Sequence, residues 1–176
     1  GLGMAVVWGT MQDHNGYLHV ESSPGTGTTF ELYFSVTREE ISQLKTPVSV
    51  EDYQGNREKI LVIDDVAEQR EIAVRILNRL NYAATAVSSG EEALDYLKQN
   101  STDLLLLDMI MDPGIDGLET YRRIIELHPG QKAVIASGFA ENSRVREAQR
   151  LGVGRYIKKP YTIENLGVAI KEQLVN

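Results

Sequence analysis

Apolar and polar residues change their spacing repeatedly along this chain. Five short apolar runs, typical of strands, follow residue 58, and segments with apolar residues three or four positions apart, typical of helices, lie between them. The runs at 60–63 and 104–107 are almost continuously apolar, as expected for parallel strands covered on both faces. The pattern predicts an α/β fold with a five-stranded, doubly wound parallel sheet of about 120 residues.

The predicted strands of this sheet are 60–63, 83–87, 104–107, 133–136 and 156–157. The apolar positions expected to face the core from the helices are Ile72, Ile76 and Leu80, Leu94 and Leu97, Leu118, Tyr121 and Ile125, and Leu166, Ile170 and Leu174.

The first 36 residues follow a different pattern. A helical stretch near 4–14 precedes two alternating segments, 17–20 and 29–34, which predicts a helix followed by a β-hairpin. So few residues do not bury a core alone. Because the chain also begins at Gly1 without a Met, we expect it to be a piece of a longer protein. Residues 37–57 have the polar composition of a linker, so the predicted domains are 1–36 and 58–176.

Charge and composition exclude several classes of function. The 176 residues include 18 Lys and Arg, 25 Asp and Glu and no Cys, and the net charge is −7. The acid excess argues against nucleic acid as a partner, and the lack of Cys excludes disulfide scaffolds and thiol chemistry. No apolar run approaches the roughly 20 residues of a membrane span. We therefore expect a cytoplasmic chain with no membrane segment in this fragment.

Polar side chains follow the predicted strands where ligands bind in open α/β sheets. Asp64 and Asp65 come after the strand at 60–63, Asp108 after 104–107, Ser137 after 133–136, and Lys158, Lys159 and Pro160 after 156–157. A single Asp at such a position is more often a helix N-cap, but capping does not explain four strand ends together. Three converging carboxylates repel one another and suit Mg²⁺. This set predicts phosphorylation of an aspartate, with Lys and Ser holding the phosphoryl oxygens.

The segments 60–65, 107–108, 135–138 and 158–161 resemble those of the response-regulator receiver domain, over residues 58–175. The resemblance implies a flavodoxin-like fold in which Asp108 is the phosphoacceptor and the Lys159-Pro160 bond is cis. It also implies that Asp65 and the carbonyl of Ile110 bind Mg²⁺ directly, together with Asp108, and that Asp64 binds it through water or orients the site. Lys159 would contact the phosphoryl group. Ser137 would be the switch hydroxyl and Tyr156 the switch aromatic. An ordinary strand aromatic is the alternative for Tyr156.

The N-terminal residues resemble the end of a histidine-kinase ATP-binding domain, with Gly1 and Gly3 in its last glycine box. The parts of such a domain that hold adenine and Mg²⁺ are absent, and His14, His19 and His128 lie outside any kinase-helix context. The fragment is therefore not expected to be a kinase enzyme, although a receiver catalyses its own phosphorylation and dephosphorylation.

The order of the two resemblances implies a hybrid sensor histidine kinase as the parent. Its receiver would accept phosphate from a histidine kinase core, in cis or in trans. It would then pass the group to a His-containing phosphotransfer protein or act back on the kinase.

Several alternatives remain open at this point. A degenerate receiver would bind a protein partner without phosphorylation, and a haloacid-dehalogenase-type phosphatase would need a second Asp where Ile110 stands. A third possibility is that the first piece still binds nucleotide, although no binding is expected. Its apolar side chains would either pack against another copy in a homodimer or remain without stable packing. The candidate side chains are Leu18, Val20, Phe30, Leu32 and Phe34.

The loop after Asp108 departs from the usual receiver pattern. It is one residue longer, with Asp112 as the insertion, and a solvated loop acid is favoured over a role in metal or partner binding. The positions two beyond Asp108 and two beyond Ser137 are Ile110 and Phe139, where relatives with polar side chains orient a hydrolytic water. We therefore expect slow self-dephosphorylation.

Replacing Ile110 by Asn and Phe139 by Glu is expected to speed hydrolysis of the phosphorylated protein, because both new side chains hydrogen-bond to water. A phosphate-release assay that compares the double variant with the wild type measures this. An unchanged rate would contradict the hypothesis.

Overall fold

The computed structural model describes residues 2–36, 49–138 and 143–175, which belong to two compact units, Gly1–Thr46 and Pro47–Asn176. The N-terminal unit contains helix α1 (Leu2–Asp13) and strands β1 (Tyr17–Ser23) and β2 (Gly27–Tyr33). The two strands pair antiparallel, with Tyr17 opposite Tyr33. Met11 is the one buried side chain among the residues described in this unit. The predicted helix and hairpin are confirmed.

The second unit contains the remaining elements, in alternating order. They are α2 (Val50–Tyr53), β3 (Lys59–Ile63), α3 (Ala67–Arg79), β4 (Ala83–Val87), α4 (Gly90–Leu97), β5 (Leu104–Asp108), α5 (Gly117–Leu127), β6 (Ala133–Ser137), α6 (Ser143–Arg150), β7 (Tyr156–Lys158) and α7 (Ile163–Val175).

The five strands of this unit form one parallel sheet in the order β4-β3-β5-β6-β7. Ile60 of β3 lies opposite Ala84 on one side and Leu104 on the other. The chain adds β4 on one side of β3 and then returns to add β5 on the other side. The carboxyl ends of β3 and β5 therefore flank the topological switch point of the sheet. The predicted parallel sheet is confirmed, and each predicted strand agrees with the observed one to within a residue at either end.

The sheet has an apolar core on each face. Leu105 and Leu107 of β5 pack into the cluster with α4, α5 and α6, whereas Leu104 and Leu106 pack into the cluster with α3 and α7. Successive strand residues point to opposite faces, and both faces are covered. This double coverage is why the sequence of β5 is continuously apolar.

Two details of the helices differ from the prediction. Ile72 is 47% exposed, and α3 instead buries Ala73 and Leu77. The small Ala73 allows the helix to pack closely on the sheet, and this rotates the buried stripe by one position. Helix α6 is missing from the predicted set because half of its eight residues are charged, and among its residues only Val145 and Ala148 are buried.

The prediction that the linker extends to residue 57 is wrong, because α2 forms within this range and packs onto α7. The ring of Tyr53 is buried against Gly167 and Leu80. The hydroxyl of Tyr82 donates to the carbonyl of Tyr53 at 3.1 Å, and the N–H of Gly55 donates to the carbonyl of Leu80 at 2.8 Å. Residues 49–57 therefore belong to the second unit. Across the described ranges, no helix combines the length and apolarity that a membrane crossing requires.

Replacing Tyr53 by Ala is expected to lower the unfolding free energy of the second unit by about 3 kcal/mol, since a buried aromatic ring is lost and a cavity remains. Urea denaturation followed by circular dichroism measures the change. The control is Val50→Ala in the same short helix, where the side chain is exposed. Equal stability of the two variants would contradict the packing role of α2.

Candidate functional site

Five predicted side chains lie at one edge of the parallel sheet. Asp64 and Asp65 directly follow β3, Asp108 ends β5, Ser137 ends β6 and Lys159 directly follows β7. One carboxylate oxygen from each of the three Asp residues lies within 4.8 Å of the others. The structure therefore brings together residues that are up to 95 positions apart in the sequence.

Lys159 connects two of the carboxylates. Its ammonium contacts Oδ2 of Asp64 and donates to Oδ2 of Asp108 at 2.8 Å, and its side chain is only 10% exposed. The backbone N–H of Lys159 donates to the carbonyl of Ser137 at 2.8 Å, which links the end of β6 to the residue after β7. The Lys159-Pro160 peptide bond is cis, as predicted.

Each of the three carboxylates also accepts a backbone N–H. Val66 donates to Oδ1 of Asp64 at 3.0 Å, and Ile110 donates to Oδ1 of Asp108 at 3.2 Å. Asp112 donates to Oδ2 of Asp65 at 3.3 Å. Hydrogen bonds of this kind hold the three carboxylates in place. Two of the three donors come from the loop that follows Asp108.

Gly117 allows this loop to return close to the site. A side chain carbon at position 117 would lie 2.2 Å from the carbonyl oxygen of Asp108, so the position requires glycine. The N–H of Gly117 donates to the carbonyl of Met109 at 3.2 Å, and the side chains of Met109 and Met111 are buried. The loop is thus held by its own apolar residues.

The charges at the site do not balance. Three carboxylates and one ammonium leave a net charge of −2, with Asp64 and Asp108 buried and Asp65 partly buried. Burial raises the pKa of Asp108, and the charge of Asp64 adds to this, although Lys159 acts in the opposite direction. Burial and the negative charges of Asp64 and Asp108 also raise the pKa of Tyr161. The local field is therefore negative, and it favours a cation.

The donor set fits a hard divalent cation. The available ligands are carboxylate and backbone carbonyl oxygens, which are those that Mg²⁺ prefers, and a charge of +2 would neutralise the excess. Asp64, Asp65 and Asp108 would supply the carboxylates. The N–H of Ile110 donates to Asp108 and that of Asp112 donates to Asp65, so the backbone of this segment runs beside the cluster.

A surface cleft of about 450 Å³ opens onto the cluster. Its lining combines the polar groups with apolar residues at the rim, where Val66 and Ile110 are 43% and 48% exposed. The residues that line it are Asp65, Val66, Gln69, Asp108, Ile110, Ser137, Gly138, Lys159 and Pro160. A small anionic group can therefore reach Asp108 and Lys159 from solvent.

The other predicted residues have different surroundings. Tyr156 is partly buried against the apolar cluster on the α4–α6 face, and the switch role assigned to it remains a prediction. Asp112 is exposed. Phe139 lies outside the described residues, so its part in the dephosphorylation hypothesis is also still a prediction.

Some groups around the site were not predicted from the sequence. Nη1 of Arg70 donates to the carbonyl of Asp64 at 2.6 Å, and Gln69 lines the cleft. Both lie in the first turn of α3, the helix that follows Asp65. Residues in that turn are close to the end of β3, and this position could have identified them from the sequence. The backbone donors carried no such signal, because every residue except proline has an N–H.

Comparisons with known proteins agree with this geometry. The family model of the response regulator receiver domain matches residues 60–171. Sporulation initiation phosphotransferase F of Bacillus subtilis is 31% identical over 117 residues, which cover 66% of this chain and 94% of that protein. The sensor kinase CckA of Brucella abortus is 27% identical over 183 residues, which cover 99% of this chain and 19% of the kinase. The chain thus spans about a fifth of the length of that kinase.

Solved structures show the same fold. A CheY-like receiver domain from Methanospirillum hungatei matches 67% of this chain and 94% of its own, with a TM-score of 0.63 and 26% identity. The response regulator TrrA of Thermotoga maritima, in complex with Mg²⁺ and BeF, matches 66% of this chain and 98% of its own, with a TM-score of 0.60 and 27% identity. The predicted flavodoxin-like receiver fold is confirmed.

Replacing Lys159 by Met is expected to lower the unfolding free energy by about 3 kcal/mol in the presence of EDTA, because two buried carboxylates lose their counter-charge. Lys158→Met is the matched control, since Lys158 is adjacent and exposed. Urea denaturation measures both. Burial raises the pKa of Asp108, so its ionised form lowers the stability of the folded protein at higher pH. The loss of unfolding free energy in Lys159→Met should therefore shrink as the pH falls and Asp108 is protonated. A loss equal to that of the control would contradict this account.

Proposed function

The chain belongs to the response regulator receiver domain family of two-component signalling, and on this premise we propose that Asp108 accepts a phosphoryl group from a histidine kinase. The observation that carries the proposal is the cluster of Asp64, Asp65 and Asp108 within 4.8 Å, with Lys159 between two of them. The cluster opens to solvent through the cleft, so a phosphodonor can approach Asp108.

The proposed reaction is a transfer from nitrogen to oxygen. A carboxylate oxygen of Asp108 forms a bond to phosphorus, the bond from phosphorus to the donor imidazole nitrogen breaks, and that nitrogen keeps the electron pair. Lys159 lies within hydrogen-bonding distance of Asp108, where its ammonium can pair with a phosphoryl oxygen. The charge that develops on the phosphoryl oxygens is then met by a group already in place.

Mg²⁺ is the proposed cofactor of this site. Asp65, Asp108 and the carbonyl of Ile110 would hold it directly, and Asp64 would act through water or orient the site. When bound, the ion would offset negative charge on the phosphoryl oxygens and carboxylates. Asp108 also benefits directly, because a nearby cation favours the ionised carboxylate that burial opposes.

Signalling would follow from movement of Ser137 and Tyr156. Ser137 is buried at the end of β6 and lines the same cleft as Asp108. Its hydroxyl would move to hydrogen-bond the new phosphoryl group, and Tyr156 of the neighbouring strand would turn inward into the space this leaves. Receiver domains generally use such a change to alter the surface that partners contact.

We also propose that the chain is part of a hybrid sensor histidine kinase in the cytoplasm. The alignment with the sensor kinase CckA spans 99% of the chain, so it includes the N-terminal helix and hairpin. These elements would then be the end of the ATP-binding domain, as the sequence predicts. The phosphodonor would be a kinase core in cis or in trans, and a His-containing phosphotransfer protein is a candidate acceptor.

Incubation with acetyl phosphate and Mg²⁺ is expected to add one phosphoryl group, about 80 Da, to the intact mass of the chain. Asp108→Asn is the control, because it keeps the shape of the side chain and removes the nucleophile. An adduct in the wild type that is absent from the control supports the proposal. An adduct that persists in the control would assign the phosphoryl group elsewhere. No adduct from acetyl phosphate or from a phosphorylated kinase core would favour a receiver that binds partners without phosphorylation.

A further inference from the structure

The long loop after Asp108 is fastened to α4 by Glu91. Oε1 of Glu91 accepts the N–H of Ile115 at 3.0 Å. Gly114 has a φ of +121°, and a side chain carbon there would lie 2.9 Å from Oε2 of Glu91, so the carboxylate lies directly against the loop backbone. The hydrogen bonds from backbone N–H groups lower the pKa of Glu91, which keeps this acceptor ionised.

Glu91 is an exposed residue at a capped helix start. It lies in the first turn of α4, next to Glu92, which closes the start of the helix. The N–H of Glu92 donates to Oγ of Ser89 at 3.2 Å, while the carboxylate of Glu92 accepts the N–H of Ser88 at 2.7 Å. Ser89 thus caps the helix, and Glu92 connects its first turn to the residue before the cap. The loop is therefore attached to a capped helix start outside the site.

The same loop touches the carboxylate cluster. Three residues before Ile115, the N–H of Asp112 donates to Oδ2 of Asp65. Asp112, which the sequence predicts to be the insertion in this loop, has an exposed side chain, so what it contributes to the site is a backbone donor. The contacts run in order from Glu91 through Gly114 and Ile115 to Asp112 and Asp65.

We propose that Glu91 is a positioning residue for the metal site. By holding Gly114 and Ile115, it keeps the N–H of Asp112 on Asp65 and so orients this carboxylate before the cation arrives. The inference rests on the proposed function, because it concerns the Mg²⁺ affinity of the same cluster. Groups that orient metal ligands commonly change metal affinity by 10- to 100-fold when they are removed.

The first test measures Mg²⁺ binding by calorimetry, without a phosphodonor. Glu91→Ala is expected to weaken the affinity by about tenfold. Glu91→Gln should retain most of it, because the amide oxygen still accepts the N–H of Ile115. Glu126→Ala, which removes an exposed charge from α5, is the control. Equal weakening in the Ala and Gln variants would assign the effect to charge alone and overturn the inference, as would an unchanged affinity in Glu91→Ala.

The second test needs no metal. Amide hydrogen exchange in EDTA is expected to show that Glu91→Ala loses protection at both Ile115 and Asp112, whereas Glu91→Gln and Glu126→Ala keep it. Loss at Ile115 alone would overturn the inference, because Glu91 would then hold the loop without affecting Asp65.

The two proposals fail in different ways. A wild type that binds Mg²⁺ and forms the phosphoryl adduct, together with a Glu91→Ala variant that behaves identically in both tests, overturns the role of Glu91 alone. A wild type that binds no Mg²⁺ overturns the proposed cofactor, and with it the metal-affinity role of Glu91.

Discussion

The mutual repulsion of three carboxylates is the constraint around which the second unit is organised. Asp64, Asp65 and Asp108 lie within 4.8 Å because parallel strands end at the same edge of the sheet. Such a cluster is unstable unless other groups compensate for it. The ammonium of Lys159 and one backbone N–H on each carboxylate provide part of this compensation. A charge of −2 remains on these four side chains, and a divalent cation would offset it.

Much of this arrangement could be predicted from the sequence, because the information is local. Apolar runs covered on both faces identify β3 and β5, and the residue after each run must lie at the carboxyl edge. Asp64, Asp108 and Ser137 are the first residues after their predicted strands, whereas Lys159 is distinguished from its neighbour Lys158 by the family resemblance. The order of the strands then determines which of these residues meet.

The parts that could not be predicted depend on packing between distant segments. Helix α2 lies in a sequence of linker composition, and it is ordered because Tyr53 finds a place against Gly167 and Leu80. Helix α6 needs only Val145 and Ala148 to face the core, which is too weak a periodic signal. Glu91 is an ordinary first-turn acid until the loop that contains Ile115 folds against it.

The docking of α2 also determines where mechanical load enters the receiver. Tension along the chain ahead of Ser49 reaches Tyr53 and Gln54 first, where the ammonium of Lys171 holds the carbonyl of Gln54 at 2.9 Å. Its contacts with α7 and with Leu80 at the end of α3 would share that load with both helices before it reaches β3, which carries the site at its far end.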